Sequence, residues 1–383
     1  MQESTKTAQA QIKPKNKRLL SIDALRGFDM VWILGAESLF AALFIITGWP
    51  ILAKLAEQME HTYWHGFHAY DLIFPLFIFL SGVSLGLAAK PLSSYPPEKA
   101  KSILHQGIKR LLLLISFGIL YNHGWGIGIP ASLDDIRYAS VLGRIGIAWF
   151  VAAILVWYVS ERAQWLIAAA LLIGYWLLLS FISLGGYGAG DFSANGAINV
   201  WFDRYLLPGI TYRNLAIDPE GILSNITSIV NALAGVFVGR YMIKHANQPK
   251  TLIIRLSIIG IVSLMLGYLW AMSFPINKTL WTSSFVLVTV GYSILLLTLF
   301  YWLIDVLGFT KWAKVFAVIG TNSIIAYLGT SLIDWQYTSK SIFGGLINIA
   351  PAGWQDFILF GGMVLIQWLA LYWLYKKNIF IKV

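Results

Sequence analysis

The chain has 383 residues, of which 58% are hydrophobic, 15% aromatic and only 12% charged, and its mean hydropathy is +0.69. Soluble domains carry about 25% charged residues, so half of the usual solvating surface is missing. That excludes an ordinary water-soluble enzyme and a disordered chain alike, and leaves a polytopic membrane protein in contact with lipid. Lys and Arg total 28 against 18 Asp and Glu, a net charge of +10. These basic residues fall mostly between apolar runs, where they fix orientation, so nucleic acid is not expected as a partner. There is no cysteine, which excludes disulfides, thiolate catalysis and Cys-ligated metals.

Residues 1–18 form a polar, basic tail containing Lys6, Lys13, Lys15, Lys17 and Arg18. No short apolar core with a small-residue cleavage site follows, so the first apolar segment is expected to be a retained helix. Residues 19–383 read as a single transmembrane domain. A helix needs about 20 apolar residues to cross a bilayer, and the chain offers ten candidate spans. They lie near 24–47, 69–89, 107–122, 138–160, 163–184, 219–243, 251–273, 280–306, 312–334 and 353–375. The fold class is therefore all-α, a transmembrane helix bundle. The short gap around Ser160–Arg162 predicts a tight helical hairpin.

Charge sets the expected orientation. With the N-terminus in the cytoplasm, an even number of spans returns the C-terminus there. The inside segments then hold Lys13–Arg18, Lys90–Arg110, Lys244–Arg255, Lys311–Lys314 and Lys376–Lys382. The outside segments 48–68, 123–137, 185–218, 274–279 and 335–352 are poor in Lys and Arg, as the positive-inside rule requires. Two of these, 48–68 and 185–218, are too long for plain connectors and are expected to carry function.

Charges and amides inside apolar spans usually face a cavity or a partner. Asp23 and Arg26 are three apart on one helical face and can pair, while Arg26 could also face an anionic ligand from the cytoplasm. Gly27 permits close helix approach. Further along, His61, His65 and His68 stand within eight residues, just before a span. A continuous helix would place all three on one face, a pattern a metal could use. Gly66 argues against continuity, no other acidic or histidine constellation completes a metal site, and none is expected. A histidine with a pKa of about 6.5 can instead exchange a proton near neutral pH. Arg144, Asp218, Glu220, Asn277, Lys278, Trp281, Ser284 and Asn322 add polar groups within or at the ends of later spans. Each suits interhelical hydrogen bonding, and together they favour a polar cavity open to the outside.

These motifs, in this order, resemble the heparan-alpha-glucosaminide N-acetyltransferase family and its bacterial relatives. The pattern is Arg18-Leu-Leu-Ser-Ile-Asp-Ala-Leu-Arg-Gly27, His61-x-x-Trp64-x-Gly66, Asp71-Leu-Ile-Phe-Pro75 and Val141-Leu-Gly-Arg144-Ile-Gly146. It continues with Asp218-Pro-Glu-Gly-Ile-Leu223, Asn277-Lys-x-Leu-Trp281 and Gly320-x-Asn322-Ser323. Other membrane acyltransferases begin like the first motif, but the ordered set is specific and runs from about residue 18 to the C-terminus. The resemblance implies transfer of an acetyl group from cytosolic acetyl-CoA to the amine of a glucosamine presented across the membrane, with His61 as the catalytic histidine. His65 and His68 are not part of the pattern. Lysosomal members carry an additional luminal N-terminal region, so a bacterial amino sugar at the cytoplasmic (inner) membrane is expected in place of heparan sulfate.

Acyl transfer to an amine needs the ammonium to lose a proton, and a histidine can accept it or take the acetyl group first as a relay. Asp71 is ten residues from His61, about 15 Å along an unbroken helix, so it reaches His61 only if the chain breaks near Gly66. Otherwise it serves the cavity or the substrate amine. Asn277, Ser284 and Asn322 are candidates for bonding sugar hydroxyls or the thioester oxygen. Arg26, Lys109, Arg110, Arg240 and Lys244, at inner helix ends, are candidates for holding the CoA phosphates. With the nucleotide inside and His61 outside, a tunnel lined by the intramembrane polar residues is predicted. The competing readings are a sugar or glycolipid transporter, and a metal-dependent hydrolase built on the three histidines. Lipid surrounds the bundle, and the Trp- and Gly-rich spans allow a homodimer.

Overall fold

The computed structural model describes residues 19–123 and 132–381. The basic tail 1–18 and part of the outside segment 123–137 lie outside the described residues. The first span is α1 (Leu20–Val31) and α2 (Ser38–Thr47), joined by a π-helical turn at Trp32–Ala36 and bent by 61°. Gly35 sits in that turn at φ 111°, a conformation a side chain would strain. A short helix α3 (Pro50–Gln58) follows, then α4 (Ile73–Ala88), α5 (Pro97–His123), α6 (Val141–Tyr158) and α7 (Glu161–Phe181). The segment after α7 holds a two-stranded hairpin, β1 (Ser183–Leu184) and β2 (Tyr187–Gly188), and the helix α8 (Asn199–Leu206). The chain continues with α9 (Asn225–Lys244), α10 (Pro249–Trp270) and α11 (Ser283–Phe300). It ends with α12 (Thr310–Gly320), α13 (Ser323–Leu332), α14 (Trp335–Ile349) and α15 (Trp354–Lys376). α12 and α13 form a second broken span, bent by 56°.

The all-α bundle expected from hydropathy is present. Among the described residues, eight helices are long and apolar enough to cross a membrane, or up to ten if each bent pair is one span. Three boundaries differ from the sequence reading. The shortest predicted span, 107–122, is the longest helix, because polar residues 97–106 continue the same α-helix below the apolar run. The 219–243 span begins only at Asn225, since Asp218–Ser224 is a turn holding buried polar contacts. Residues 335–352, read from the sequence as a segment between spans, are mostly the helix α14.

The centre of the bundle is α4 against α9. Their glycines interleave: a Cβ on Gly82 or Gly86 would overlap the Ala232 or Val236 carbonyl, and one on Gly235 or Gly239 would overlap the Phe79 or Val83 carbonyl. Helix pairs in lipid gain from such close backbone approach. Gly27 does the same for α1 against α12, facing Gly320 and the Phe316 carbonyl. α10 stands at the periphery, with Ile254, Ile258, Ile261, Met265 and Leu269 exposed along one face, a stripe suited to lipid.

Candidate active site

Between α3 and α4 the chain is irregular as far as His68, with Gly66 turning it at φ 122°, and a 3-10 turn at Ala69–Leu72 then leads into α4. This reversal brings His61 back to the start of the next span. Its Nδ1 lies 2.7 Å from Asp71 Oδ1, and since an ionised carboxylate only accepts, Nδ1–H is the donor, which in the neutral ring leaves the lone pair on Nε2. Asp71 is buried, whereas the His61 side chain is 49% exposed. The other Asp71 oxygen accepts from the His68 backbone N–H at 3.1 Å and the Thr62 hydroxyl at 3.3 Å. The chain break that Gly66 raised in the sequence is thus what lets Asp71 orient His61. The three histidines share no helical face: His68 Nδ1 is 3.0 Å from the Glu60 carbonyl and His65 Nδ1 is 3.3 Å from Asn277 Nδ2. Burial lowers the His65 pKa, favouring the neutral ring. Among the described residues no group of His, Asp and Glu is placed to hold a metal ion.

Lys278 completes the cluster. Its Nζ is 3.4 Å from Asp71 Oδ1, and 3.1 and 3.3 Å from the two ring nitrogens of His61. Near-equal distances place the amine against the imidazole and not on one nitrogen's lone pair. Burial lowers the Lys278 pKa, and the pull of Asp71 and Glu220 opposes that shift without cancelling it. The turn Asn277–Thr282 aims this lysine. Asn277 Oδ1 accepts from the Leu280 N–H at 2.8 Å, and Trp281 adopts a left-handed φ of 51°, which costs about 1–2 kcal/mol for a side chain of this kind. The Trp281 indole offsets that cost by donating to Asn231 at 2.9 Å while the Arg144 guanidinium covers its face at 4.3 Å. Asn277 Nδ2 also donates to the Trp64 carbonyl, Gly66 N–H to the Ile276 carbonyl and Trp64 Nε1 to the Phe192 carbonyl, all at 2.8–2.9 Å. The His61 loop is therefore pinned on two sides.

The remaining predicted site residues divide. Asp218 and Glu220 lie close enough to act electrostatically on Arg144, and Glu220 on Lys278, but both carboxylates are bonded to Arg137, at 2.6 and 2.5 Å through Nη2. Burial lowers the Arg137 pKa, but the two carboxylates more than reverse this and hold it above the usual range. Nearby, burial raises Asp203 to about 6 although two backbone N–H groups bond it. Arg144 bonds the Ser224 hydroxyl, with its Nε and Nη1 left unpartnered. Ser284 is buried and donates to the Phe274 carbonyl at 2.6 Å, so its hydroxyl is committed to the fold. Asn322 ties down the chain end, donating to the Ile379 carbonyl at 3.0 Å and accepting from Ile381 N–H at 3.2 Å.

A cavity of about 370 Å³ reaches the site at Phe74 and is lined among others by Arg26, Phe74, Ser84, Arg110 and Tyr327. Phe74 links the two regions, since Lys278 Nζ lies 5.1 Å from its ring centre and its edge meets Tyr327. From Phe74 to Ser84 is ten residues, or about 15 Å of helix, and Arg26 bonds Ser84 at 2.5 Å at the far end. Arg110 approaches the same end, stacked on Trp149 at 4.1 Å. Of the five predicted cofactor residues, Arg26 and Arg110 converge here. Lys109 and Lys244 are exposed, and Arg240 bonds Gln164 at 2.9 Å. The lining also departs from the expected tunnel. The polar groups of α9 and α11 bond one another or nearby backbone, as Asn231 to Thr289 and Thr227 to the Trp281 carbonyl. The wall comes from α1, α4, α5, α6 and the second broken span.

No protein-family model matches the chain. Two curated sequences do: the heparan-alpha-glucosaminide N-acetyltransferases of Mus musculus, 29% identical over 85% of this chain, and of Homo sapiens, 28% identical over 96% of it. The chain is similar over most of its length to the heparan-alpha-glucosaminide N-acetyltransferases of both organisms. It spans 56% and 60% of the lengths of the mouse and human proteins. The resemblance carried by the ordered motifs is borne out.

Sequence reasoning missed Arg137, Thr62 and Tyr70. Arg137 carried one signal, an arginine in an outside segment otherwise poor in basic residues. Its acidic partners stand 81 and 83 residues away, beyond any local pattern.

Proposed function

We propose that this protein is an integral-membrane N-acetyltransferase that moves an acetyl group from acetyl-CoA to the amine of a glucosamine-type sugar. The observation that carries the reading is the His61–Asp71–Lys278 cluster, reached at Phe74 by a cavity whose far end holds Arg26 and Arg110. In this reading the far end and both chain termini face the cytoplasm, which the distribution of basic segments supports, and His61 faces the outer side of a bacterial inner membrane. The guanidiniums of Arg26 and Arg110 suit the phosphates of CoA, and the cavity would admit the acyl-bearing arm towards Phe74.

His61, held in the Nδ1–H tautomer by Asp71, presents Nε2 as a base. It takes a proton from the sugar ammonium, and the freed amine attacks the thioester carbonyl carbon. The C–N bond forms as the C–S bond breaks, and the CoA sulfur leaves as the thiol, taking the proton that the acylated nitrogen gives up. Lys278 Nζ is the donor nearest to His61 for the oxyanion that develops. The test is acetyl transfer from labelled acetyl-CoA to glucosamine by purified protein in detergent, beside His61→Ala. Transfer that vanishes in the variant while CoA still stabilises it against heat supports the site. Transfer unaffected by the substitution removes His61, and absence of both transfer and CoA binding favours a sugar transporter.

A further inference from the structure

A second cavity, of about 410 Å³, lies at the first helix break and plays no part in the steps above. Its wall includes Glu37, Ser331, Asp334, Trp335 and Gln336, a mixture of carboxylate, hydroxyl, amide and aromatic face that suits a polar ring. Ile33 lines both this cavity and the one holding Arg26 and Arg110, so the two meet at a single side chain. Glu37 follows the left-handed Gly35 turn, and that turn is held by Gln367, whose Nε2 donates to the Leu34 carbonyl at 2.7 Å. One Glu37 oxygen accepts from Ser38 at 3.4 Å, while the other is buried with no side chain bonded to it, and the backbone N–H groups of Gly35 and Glu37 face the carboxylate from the chain side. The Glu37 charge also acts on Tyr70, whose ring meets the His61 imidazole with centres 4.8 Å apart.

A buried carboxylate oxygen that no side chain bonds gains from a donor that a ligand supplies. We infer that this cavity is the acceptor subsite, in which Glu37 holds the ammonium group of an amino sugar beside His61. The inference rests on the acetyltransferase reading and names its specificity-determining residue. Asp334, whose Oδ1 caps α14 through the Tyr337 N–H at 2.9 Å, adds a second negative charge to the same wall. The first helix break acquires a purpose, since it places Glu37, and the end of α13 brings Ser331 to the same wall. A cationic amine is preferred over a neutral sugar of the same shape, because a hydroxyl can donate to the carboxylate but only the ammonium adds the opposite charge.

The experiment uses the full chain in detergent with glucosamine as probe, comparing the parent with Glu37→Gln and with Gln336→Trp. Gln336 is exposed on the first turn of α14, so the larger residue narrows the cavity without entering the core. The subsite predicts that Glu37→Gln raises the glucosamine KM about tenfold or more with the acetyl-CoA KM unchanged, and that Gln336→Trp does likewise. An unchanged glucosamine KM in both variants overturns it, and if Glu37→Gln does not fold, Gln336→Trp decides. If the parent acetylates no amino sugar, glucosamine binding is read by saturation-transfer NMR. Binding lost in Glu37→Gln keeps the subsite and removes the acetyltransferase reading; binding absent from the parent, or equal in both, overturns the subsite.

Discussion

Replacing Asp71 by asparagine tests the part of the site that depends most on the fold. The carboxylate bonds His61 Nδ1 at 2.7 Å and stands 3.4 Å from Lys278 Nζ. An amide of the same shape removes the charge and offers either an oxygen or an N–H to the ring, so the Nδ1–H tautomer is no longer enforced. A hydrogen bond to a charged group contributes about 1.5–3 kcal/mol. His61 is half exposed and solvent weakens the bond, so the lower half of that range applies, which is about a 10- to 40-fold loss in rate. Asp71→Asn should therefore lower kcat for acetyl transfer by that factor, while the acetyl-CoA KM stays within about threefold because the arginines at the far end of the cavity are untouched. Steady-state transfer to glucosamine, with CoA-dependent thermal stabilisation as the control for folding, reads both quantities. A kcat within threefold of the parent would refute the claim that Asp71 orients a catalytic His61.

Three further outcomes are expected. Arg26→Gln and Arg110→Gln should each raise the acetyl-CoA KM about tenfold, the loss of one charge-assisted contact, with kcat at saturating donor little changed; salt titration of CoA binding should show a shallower slope in each. Arg137→Ala leaves Asp218 and Glu220 without their counter-charge, and breaking such a buried pair costs about 3–5 kcal/mol, so the melting temperature in detergent should fall well below that of the parent. Gly82→Leu drives a side chain into the Ala232 carbonyl of α9, and overpacking of at least about 1–3 kcal/mol should appear as loss of the monodisperse peak in size-exclusion chromatography.

The bundle was legible because membrane spans announce themselves by length and apolarity, signals that need no knowledge of neighbours. Breaks inside spans were less so. The Gly35 turn falls within an unbroken apolar run, and α14 reads as a loop because Asp334, Gln336, Thr338, Ser339 and Lys340 interrupt its hydrophobicity. His61, Asp71 and Lys278 could each be named from sequence, but their meeting depends on the reversal at Gly66 and on the strained Trp281 turn. Neither distance follows from spacing. The assignment of Ser284 and Asn322 to substrate overlooked a competing demand, since buried hydroxyls and amides must first satisfy the backbone groups beside them. Arg26 and Arg110 were separable from Lys109, Arg240 and Lys244 only once the cavity walls were known.

The account stands most directly on sidedness. The purified protein would be reconstituted into sealed vesicles in one orientation, with labelled acetyl-CoA on the side of the basic segments and glucosamine on the other, alongside His61→Ala. The account predicts N-acetylglucosamine appearing only on the glucosamine side and only with the parent protein. Product formed only when both substrates share a compartment, or formed equally by His61→Ala, would contradict it.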